Sequence, residues 1–195
     1  MYFQHVMGLF SQPKLEWKVI KDERHNIIQL CFIRLSILVA IPAVALFFGV
    51  TQIGWSFSGD EFHTFPIMKA LATTIVFFFS MLVGALVMAY FIFWLEKTYG
   101  ANASFKRCLI FITYTALPMY MAGLVALLPI VWLCVIVIMS AAFYSLYLLY
   151  VGLPIFMEIP EGLGFMFATS IIMAGLCTLV GWLAVTAVIW ANFIM

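Results

Sequence analysis

Charged residues are scarce in this chain of 195 residues, at 9% of the sequence against roughly 25% in an ordinary soluble domain. Apolar residues make up 67%, including 20 Phe and 12 Met, and the mean hydropathy is +1.18. So few polar residues leave no room for a separate soluble catalytic domain. The net charge of +1 excludes a basic nucleic-acid-binding protein. The composition therefore indicates an integral membrane protein.

Clustered metal ligands and enzyme motifs are also missing from the sequence. The four cysteines are scattered without paired spacing, unlike those of a disulfide framework or a zinc site: Cys31, Cys108, Cys134 and Cys177. No His-Glu-x-x-His, Gly-x-Ser-x-Gly, Gly-rich phosphate loop or pair of intramembrane aspartates is present. We therefore expect no catalytic residues, no metal site and no nucleotide or redox cofactor.

Long uncharged runs divide the chain into predicted membrane spans. Charges are absent from residues 35–59, 70–95, 108–157 and 162–195. A helix needs about 20 residues to cross ~30 Å of hydrocarbon, so the third run is long enough for two spans. Its break is placed at Leu127-Leu128-Pro129-Ile130, because proline cannot continue a hydrogen-bonded helix. The sequence predicts an all-α polytopic membrane protein, a five-helix bundle in one membrane domain, with spans near 28–51, 67–95, 108–127, 130–152 and 165–192.

Basic residues lie on one side of this predicted bundle. They precede the first span and separate the second from the third: Lys14, Lys18, Lys21 and Arg24, then Lys97, Lys106 and Arg107. The opposite side carries Lys69 alone. Since cytoplasmic loops hold an excess of Lys and Arg, the N-terminus is predicted in the cytoplasm and the C-terminus outside. Residues 13–27 are predicted to form a short interfacial helix against anionic headgroups, or else a solvated extension of the first span.

Arg34 is the one charge that falls well inside a predicted span. A charge two turns into hydrocarbon is costly and marks a functional hypothesis, although a long side chain can also reach back to the interface. We predict that Arg34 lies within salt-bridge reach of Glu96, Glu158 or Glu161 at the cytoplasmic end. A role in ligand binding stays open beside this structural pairing.

Two prolines and a tyrosine stripe complete the candidate residues. Pro42 and Pro118 lie near the middle of spans one and three, where each removes a backbone hydrogen bond and can kink its helix. Such kinks occur at transporter binding sites and also in ordinary packing. Tyr144, Tyr147 and Tyr150 follow at i, i+3 and i+6 on span four, and their hydroxyls can bond across helices or reach a polar cavity.

Small residues recur at four-residue spacing in the predicted spans. Examples are Ser80 with Gly84 and Ala85 with Ala89. Small side chains let helix backbones approach closely in a bilayer. The pairs therefore suit packing within the chain as well as self-association or contact with another membrane protein.

Several stretches together resemble a known family. They are Leu9-Phe10 with Pro13, Trp17 and Ile20; Tyr114-Thr115-Ala116-Leu117-Pro118; and Tyr144-Ser145-Leu146-Tyr147-Leu148-Leu149-Tyr150-Val151-Gly152-Leu153-Pro154. Their order and spacing resemble the Yip domain, named from Ypt-interacting proteins. The Ile41-Pro42 and Thr51-Gln52-Ile53-Gly54-Trp55 stretches are similar to its small bacterial inner-membrane branch. The resemblance implies a five-span protein of the bacterial inner membrane with a cytoplasmic N-terminus.

The function implied by the resemblance is limited. Eukaryotic relatives bind Rab-type GTPases and help to organise membrane traffic. That role rests partly on a longer N-terminal region and an Asp-Leu-Tyr-Gly-Pro motif, neither of which this sequence shows, so Rab binding is not expected.

Two functions remain. One is a non-catalytic scaffold or adaptor that binds lipids or membrane proteins, and the other is a small-solute transporter or channel. The scaffold is favoured because every Asp, Glu, Lys and His lies outside the predicted hydrocarbon core, whereas coupled transport usually needs titratable groups at mid-depth.

Overall fold

The computed structural model describes residues 2–22, 28–57, 59, 61–128 and 130–194, with side chains for 5, 7–22, 32–57, 59, 61–128 and 130–180. Its α-helices are α1 (Tyr2–Ser11), α2 (Pro13–Asp22), α3 (Ile28–Phe48), α4 (Ile67–Leu95), α5 (Phe105–Thr115), α6 (Leu117–Ala122), α7 (Val131–Met157) and α8 (Glu161–Ile194). A π-helical turn, Gly49–Ile53, follows α3, and the 3-10 turns Glu96–Tyr99 and Gly123–Leu127 follow α4 and α6. The predicted all-α class is confirmed.

Four helical segments are long and apolar enough to cross a membrane: Phe32–Ile53, Ile67–Tyr99, Val131–Met157 and Glu161–Val180. A fifth span arises if α5 is counted together with α6 and its 3-10 turn, which are bent by 42° at a short break. The described chain is thus a polytopic membrane protein with four spans, or five when the bent pair is one. The predicted break at Pro129 falls outside the described residues.

The bend between α5 and α6 has a local cause in the sequence. Pro118 lies at the first turn of α6, where its missing N–H costs nothing, but its ring would clash with the carbonyl of Tyr114 in a continuous helix. The last bond of α5 runs from Ala116 N–H to Ile112 O at 2.9 Å, and Tyr120 N–H then bonds to Ala116 O at 3.2 Å. The kink predicted at Pro118 is therefore present as a break.

The other predicted kink, at Pro42, lies inside α3 against the turn that follows α6. A Cβ atom at Gly123 would lie 2.2 Å from Pro42 Cβ, and one at Gly49 would lie 1.8 Å from Ala126 O. Only residues without a Cβ permit this approach. The structure therefore places Pro42 in a tight packing contact between α3 and residues 123–127.

Backbone hydrogen bonds stabilise the connection from α3 to α4 at one end of the molecule. Trp55 N–H donates to His63 O at 3.0 Å, and His63 N–H donates to Trp55 O at 2.9 Å. Gly54 has φ +88°, a left-handed conformation that favours glycine. Val131 N–H bonds to Ser56 O at 2.9 Å, which ties the start of α7 to this loop.

The buried core extends into the two N-terminal helices. Leu9 of α1 and Trp17 and Ile20 of α2 have no exposed surface. They belong to one cluster with large side chains of α5, α7 and α8, among them Phe111, Phe156 and Phe167. The N-terminal helices are therefore part of the folded bundle and not an appendage to it.

Candidate functional site at the basic end of the bundle

Positive charge gathers where α2 meets the connections between helices. We define the basic end as the part formed by α2, the 96–104 connection, the start of α5 and the connection from α7 to α8. Its described basic residues are Lys14, Lys18, Lys21, Lys97, Lys106 and Arg107. These residues lie on the side of the bundle that the charge pattern predicts to be cytoplasmic.

The sequence of α2 is suited to a short helix. Pro13 occupies its first position, where a missing N–H is tolerated, and Glu16 N–H bonds to Gln12 O at 3.1 Å. Glu16 lies in the first turn and Lys21 in the last, which complements the helix dipole. Trp17 and Ile20, three residues apart, are buried on one face.

The Trp17 indole is enclosed by protein and not by lipid. Its ring centroid lies 5.0 Å from that of Phe111 in α5 and 5.6 Å from that of Phe156 in α7. Gly152 makes room for it, since a Cβ atom there would lie 2.3 Å from Trp17 Cε2. Residues 13–22 of the predicted interfacial helix thus use their apolar face in tertiary packing, and residues 23–27 lie outside the described residues.

Helix α1 folds against α2 and reaches the middle of α7. Nδ1 of His5 lies 2.5 Å from Oε1 of Glu16, and the His5 ring meets that of Tyr114 edge-on at 6.2 Å. The hydroxyl of Tyr144 donates to Leu9 O at 2.9 Å, and its ring stacks on Phe10 at 5.1 Å. These contacts explain why both helices are fixed on the bundle.

The stretches that carry the family resemblance meet at this interface. Leu9 and Phe10 contact Tyr144, and Trp17 fills the space above Gly152. The structure shows that these stretches are two sides of one contact between the N-terminal helices and α7.

The three tyrosines of the predicted stripe have different surroundings. Tyr144 bonds to α1 as described, whereas Tyr147 is 47% exposed. The hydroxyl of Tyr150 lies 3.2 Å from Oγ1 of Thr169 in α8, and its ring packs 5.2 Å from that of Phe165. The stripe therefore spans a packed interface, an outer surface and a cavity wall.

Glu158 is the hub of an ion-pair cluster where α7 ends. The residue adopts a left-handed conformation with φ 59°. Its Oε1 lies 3.0 Å from Nη2 of Arg107 and 3.2 Å from Nζ of Lys21, and Arg107 also donates to Phe156 O at 2.7 Å. The hydrogen bonds from Arg107 and then Lys21 hold the pKa of Glu158 below its ordinary value. The cluster joins α2, α5 and α7.

Two other candidate residues, Glu96 and Arg34, lie on neighbouring elements. Glu96 is buried, and its carboxylate accepts a hydrogen bond from the N–H of Ala103, so it orders the 96–104 connection. Arg34 is half-buried in α3. Glu158 forms its ion pairs with Lys21 and Arg107. The predicted salt bridge of Arg34 stays a prediction.

A cavity of about 550 Å³ opens between α2, α7 and α8. Lys14 and Lys18 line one side, Tyr150, Ile155 and Phe165 line another, and Glu161 contributes the carboxylate from the first residue of α8. The sequence pointed to Tyr150 and Glu161 as candidate residues and to Lys14 and Lys18 as basic residues of a headgroup-facing helix, but not to a cavity that brings the four together. The i, i+4 spacing of the two lysines on α2 was the available indication.

Among the described residues, no three His, Cys, Asp or Glu side chains are grouped so as to hold a metal ion. Cys108 is buried, Cys134 half-buried and Cys177 exposed, each as a free thiol. The side chain of Cys31 is outside the described set. The arrangement at the basic end is suited to binding and to positioning charge.

Comparison with known proteins gives a consistent result. The family model described as Yip1 domain matches residues 7–192. "Inner membrane protein YohC" of Escherichia coli strain K12 is 38% identical over 186 residues, which are 95% of each chain, and YohC of E. coli O6:H1 strain CFT073 gives the same values. No solved structure gives a significant match.

Proposed function

Because the chain belongs to the Yip1 domain family, as the sequence resemblance predicted, we propose that it is a non-catalytic scaffold or adaptor in a bacterial inner membrane. In this function the bundle binds other membrane proteins, a second copy of itself or lipids, and it carries out no chemical conversion. The inner-membrane location is taken from the relatives named inner membrane protein.

The proposed orientation has the basic end in the cytoplasm. Among the described residues, six basic side chains lie at that end, whereas Lys69 is the basic residue near the other end of α4. An excess of Lys and Arg on the cytoplasmic side is the usual determinant of orientation. With five spans, the C-terminus then lies outside.

The observation that carries the proposal is that two residues which a solute path would need, Tyr144 and Pro42, are used in internal contacts. Tyr144 bonds to Leu9 and stacks on Phe10. Pro42 packs against Gly123, and the groove beside it, about 350 Å³, is lined by apolar residues such as Ile37 and Leu124. A polar solute gains no hydrogen-bonding partner from such a lining. These contacts support packing roles for the kink at Pro42 and for Tyr144.

Helix α4 offers a surface for a partner helix. Ala85 and Ala89 are buried inside the bundle. Gly84, in contrast, has open space where a Cβ atom would lie, and Ser80 is one turn earlier on the same helix. Small residues on a lipid-facing surface permit close helix approach, which supports a role in association.

The proposal is tested by combining crosslinking with a flux assay. A photocrosslinking residue at position 80 or 84 is expected to capture a defined membrane protein or a second copy in native membranes. The same residue at the exposed position of Ile136 in α7 is the control and should give no such product. Purified protein in liposomes should conduct no solute. Saturable flux abolished by Arg34→Ala or Tyr147→Ala, without a reproducible crosslinked product, would overturn the scaffold proposal.

A further inference from the structure

We propose that the cavity between α2, α7 and α8 binds one anionic phospholipid, with its phosphate at Lys14 and Lys18 and an acyl chain against Tyr150, Ile155 and Phe165. This site is a feature of the basic end and does not depend on whether the bundle acts as a scaffold. It differs from a general attraction of basic residues to the membrane surface, because it places the lipid in one defined cavity.

The two lysines are held on one side of the cavity. They are four residues apart on α2, so they project from the same helix face. Trp17, which has no exposed surface, fixes α2 on α5 and α7. Lys21 is engaged by Glu158, whereas Lys14 and Lys18 have no ion pair within the described part of the chain. Two exposed lysine side chains therefore lie at the cavity, and neither forms an ion pair with a described carboxylate.

The charge of the cavity favours an anion. Two lysines stand against the single carboxylate of Glu161. Glu161 is the first residue of α8, where the positive end of the helix dipole stabilises its negatively charged side chain. The lining thus carries a net positive charge, which favours a lipid with a negatively charged headgroup over a zwitterionic one.

The remaining wall matches the apolar part of a lipid. Tyr150 and Phe165 pack ring against ring, and Ile155 adds an aliphatic side chain. The volume of about 550 Å³ lies within the usual range of about 300–1,000 Å³ for small-molecule sites. Basic cavities between membrane helices, at the end where Lys and Arg collect, are typical sites for anionic headgroups. A phospholipid carries a phosphate and an acyl chain on one molecule, so it matches both the basic side and the apolar side of the cavity.

The test is native mass spectrometry of the full chain in detergent, titrated with phosphatidylglycerol or phosphatidylcholine. The wild type should bind a first phosphatidylglycerol clearly more tightly than phosphatidylcholine. Lys14→Gln with Lys18→Gln should weaken that first binding roughly 30-fold, because two lysines near an anionic lipid together contribute about 2 kcal/mol and each 1.4 kcal/mol is tenfold in affinity. Glu161→Gln should tighten it, because the opposing charge is removed.

Matched controls separate this site from diffuse attraction and from free phosphate. Lys97→Gln with Lys106→Gln removes two charges from the same end outside the cavity and should leave the first binding unchanged. Glycerol phosphate, which lacks acyl chains, should not displace the lipid, whereas Phe165→Ala should weaken lipid binding.

Equal losses in the two double variants, no preference over phosphatidylcholine, or full displacement by glycerol phosphate would each overturn the proposal. Because the Glu161→Gln and Phe165→Ala outcomes are read independently, the test stands even if the Lys14, Lys18 variant does not fold.

Discussion

Gly152 of α7 lies against the indole of Trp17 in α2 so closely that a Cβ atom at position 152 would be 2.3 Å from Trp17 Cε2. The contact joins an N-terminal helix to a membrane span. Lys14 and Lys18, on the same helix as Trp17, line the cavity between α2, α7 and α8.

Gly152→Ala should loosen α2 from the bundle. The added methyl group overlaps the indole, and overpacking of a buried contact costs about 1–3 kcal/mol. We expect a lower melting temperature in detergent and faster tryptic cleavage after Lys14, Lys18 and Lys21. Gly162→Ala is the control, because a Cβ atom there meets open space, and it should leave both measurements unchanged. Equal protection of α2 in Gly152→Ala and the wild type would contradict this prediction.

Tyr144→Phe should weaken the attachment of α1 while keeping the aromatic stack on Phe10. The substitution removes the hydroxyl that donates to Leu9 O, and a hydrogen bond of this kind contributes about 1 kcal/mol. The stability should therefore fall by about that amount in thermal unfolding. Tyr147→Phe is the matched control, since Tyr147 is 47% exposed, and it should unfold as the wild type does. A larger effect of Tyr147→Phe would show that the hydroxyl of Tyr144 is not the important one.

Gly123→Ala should destabilise the contact between α3 and residues 123–127, because the new Cβ would lie 2.2 Å from Pro42 Cβ. Pro42→Gly in the same chain removes the obstructing Cβ atom together with the rest of the ring. The double variant should therefore lose less stability than the sum of the two single variants, as measured by melting temperature. Strict additivity would indicate that the two residues do not share a packing contact.

Acidification should remove the stabilisation that Glu158 provides. Its folded-state pKa is lowered by Arg107 and Lys21, so the contribution is complete above the ordinary value of 4.5 and is lost as the pH falls through the lowered pKa. The effect is small, because Glu158 is exposed to solvent. In melting curves between pH 7 and pH 3, Glu158→Gln should reduce the pH dependence. Glu61→Gln, a change at an exposed carboxylate near the other end, should retain it.

The orientation is tested with a reporter fused after Met195. If the basic end is cytoplasmic and the chain has five spans, a phosphatase that is active only outside the cytoplasm should be active at this position. A fusion that is active only in the cytoplasm would contradict the proposed topology. A second fusion at the loop between α3 and α4, after Glu61, should give the same outside result as the C-terminal one.

Much of the architecture was predictable from local properties of the sequence. The length of an uncharged run against the thickness of a bilayer indicates a span, whatever packs beside it. The break at Pro118 was also predictable, since the clash with the carbonyl of Tyr114 arises within one turn. Residues 13–22 were correctly assigned to a helix, whose start is favoured by Pro13.

The site was less predictable, because its contacts join distant residues. The hydroxyl of Tyr144 and the carbonyl of Leu9 are separated by 135 positions, and no local pattern relates them. Glu158 was named as one of three possible partners of Arg34, and that pairing stays a prediction. The ion pairs of Glu158 with Lys21 and Arg107 were not predicted. Pair formation depends on which helix ends meet, and charge spacing along the chain does not contain that information.

The sequence by itself determined that this protein is a helical membrane protein of the Yip1 domain family with positive charge collected at one end. Hydropathy, charge and proline act over a few residues, so these properties can be predicted without the tertiary structure. Only the tertiary structure decided what covers the apolar face of α2, because periodicity reveals that a face must be buried but not whether lipid or protein buries it. Here Gly152 and two phenylalanines bury Trp17, and that packing leaves Lys14 and Lys18 beside a cavity.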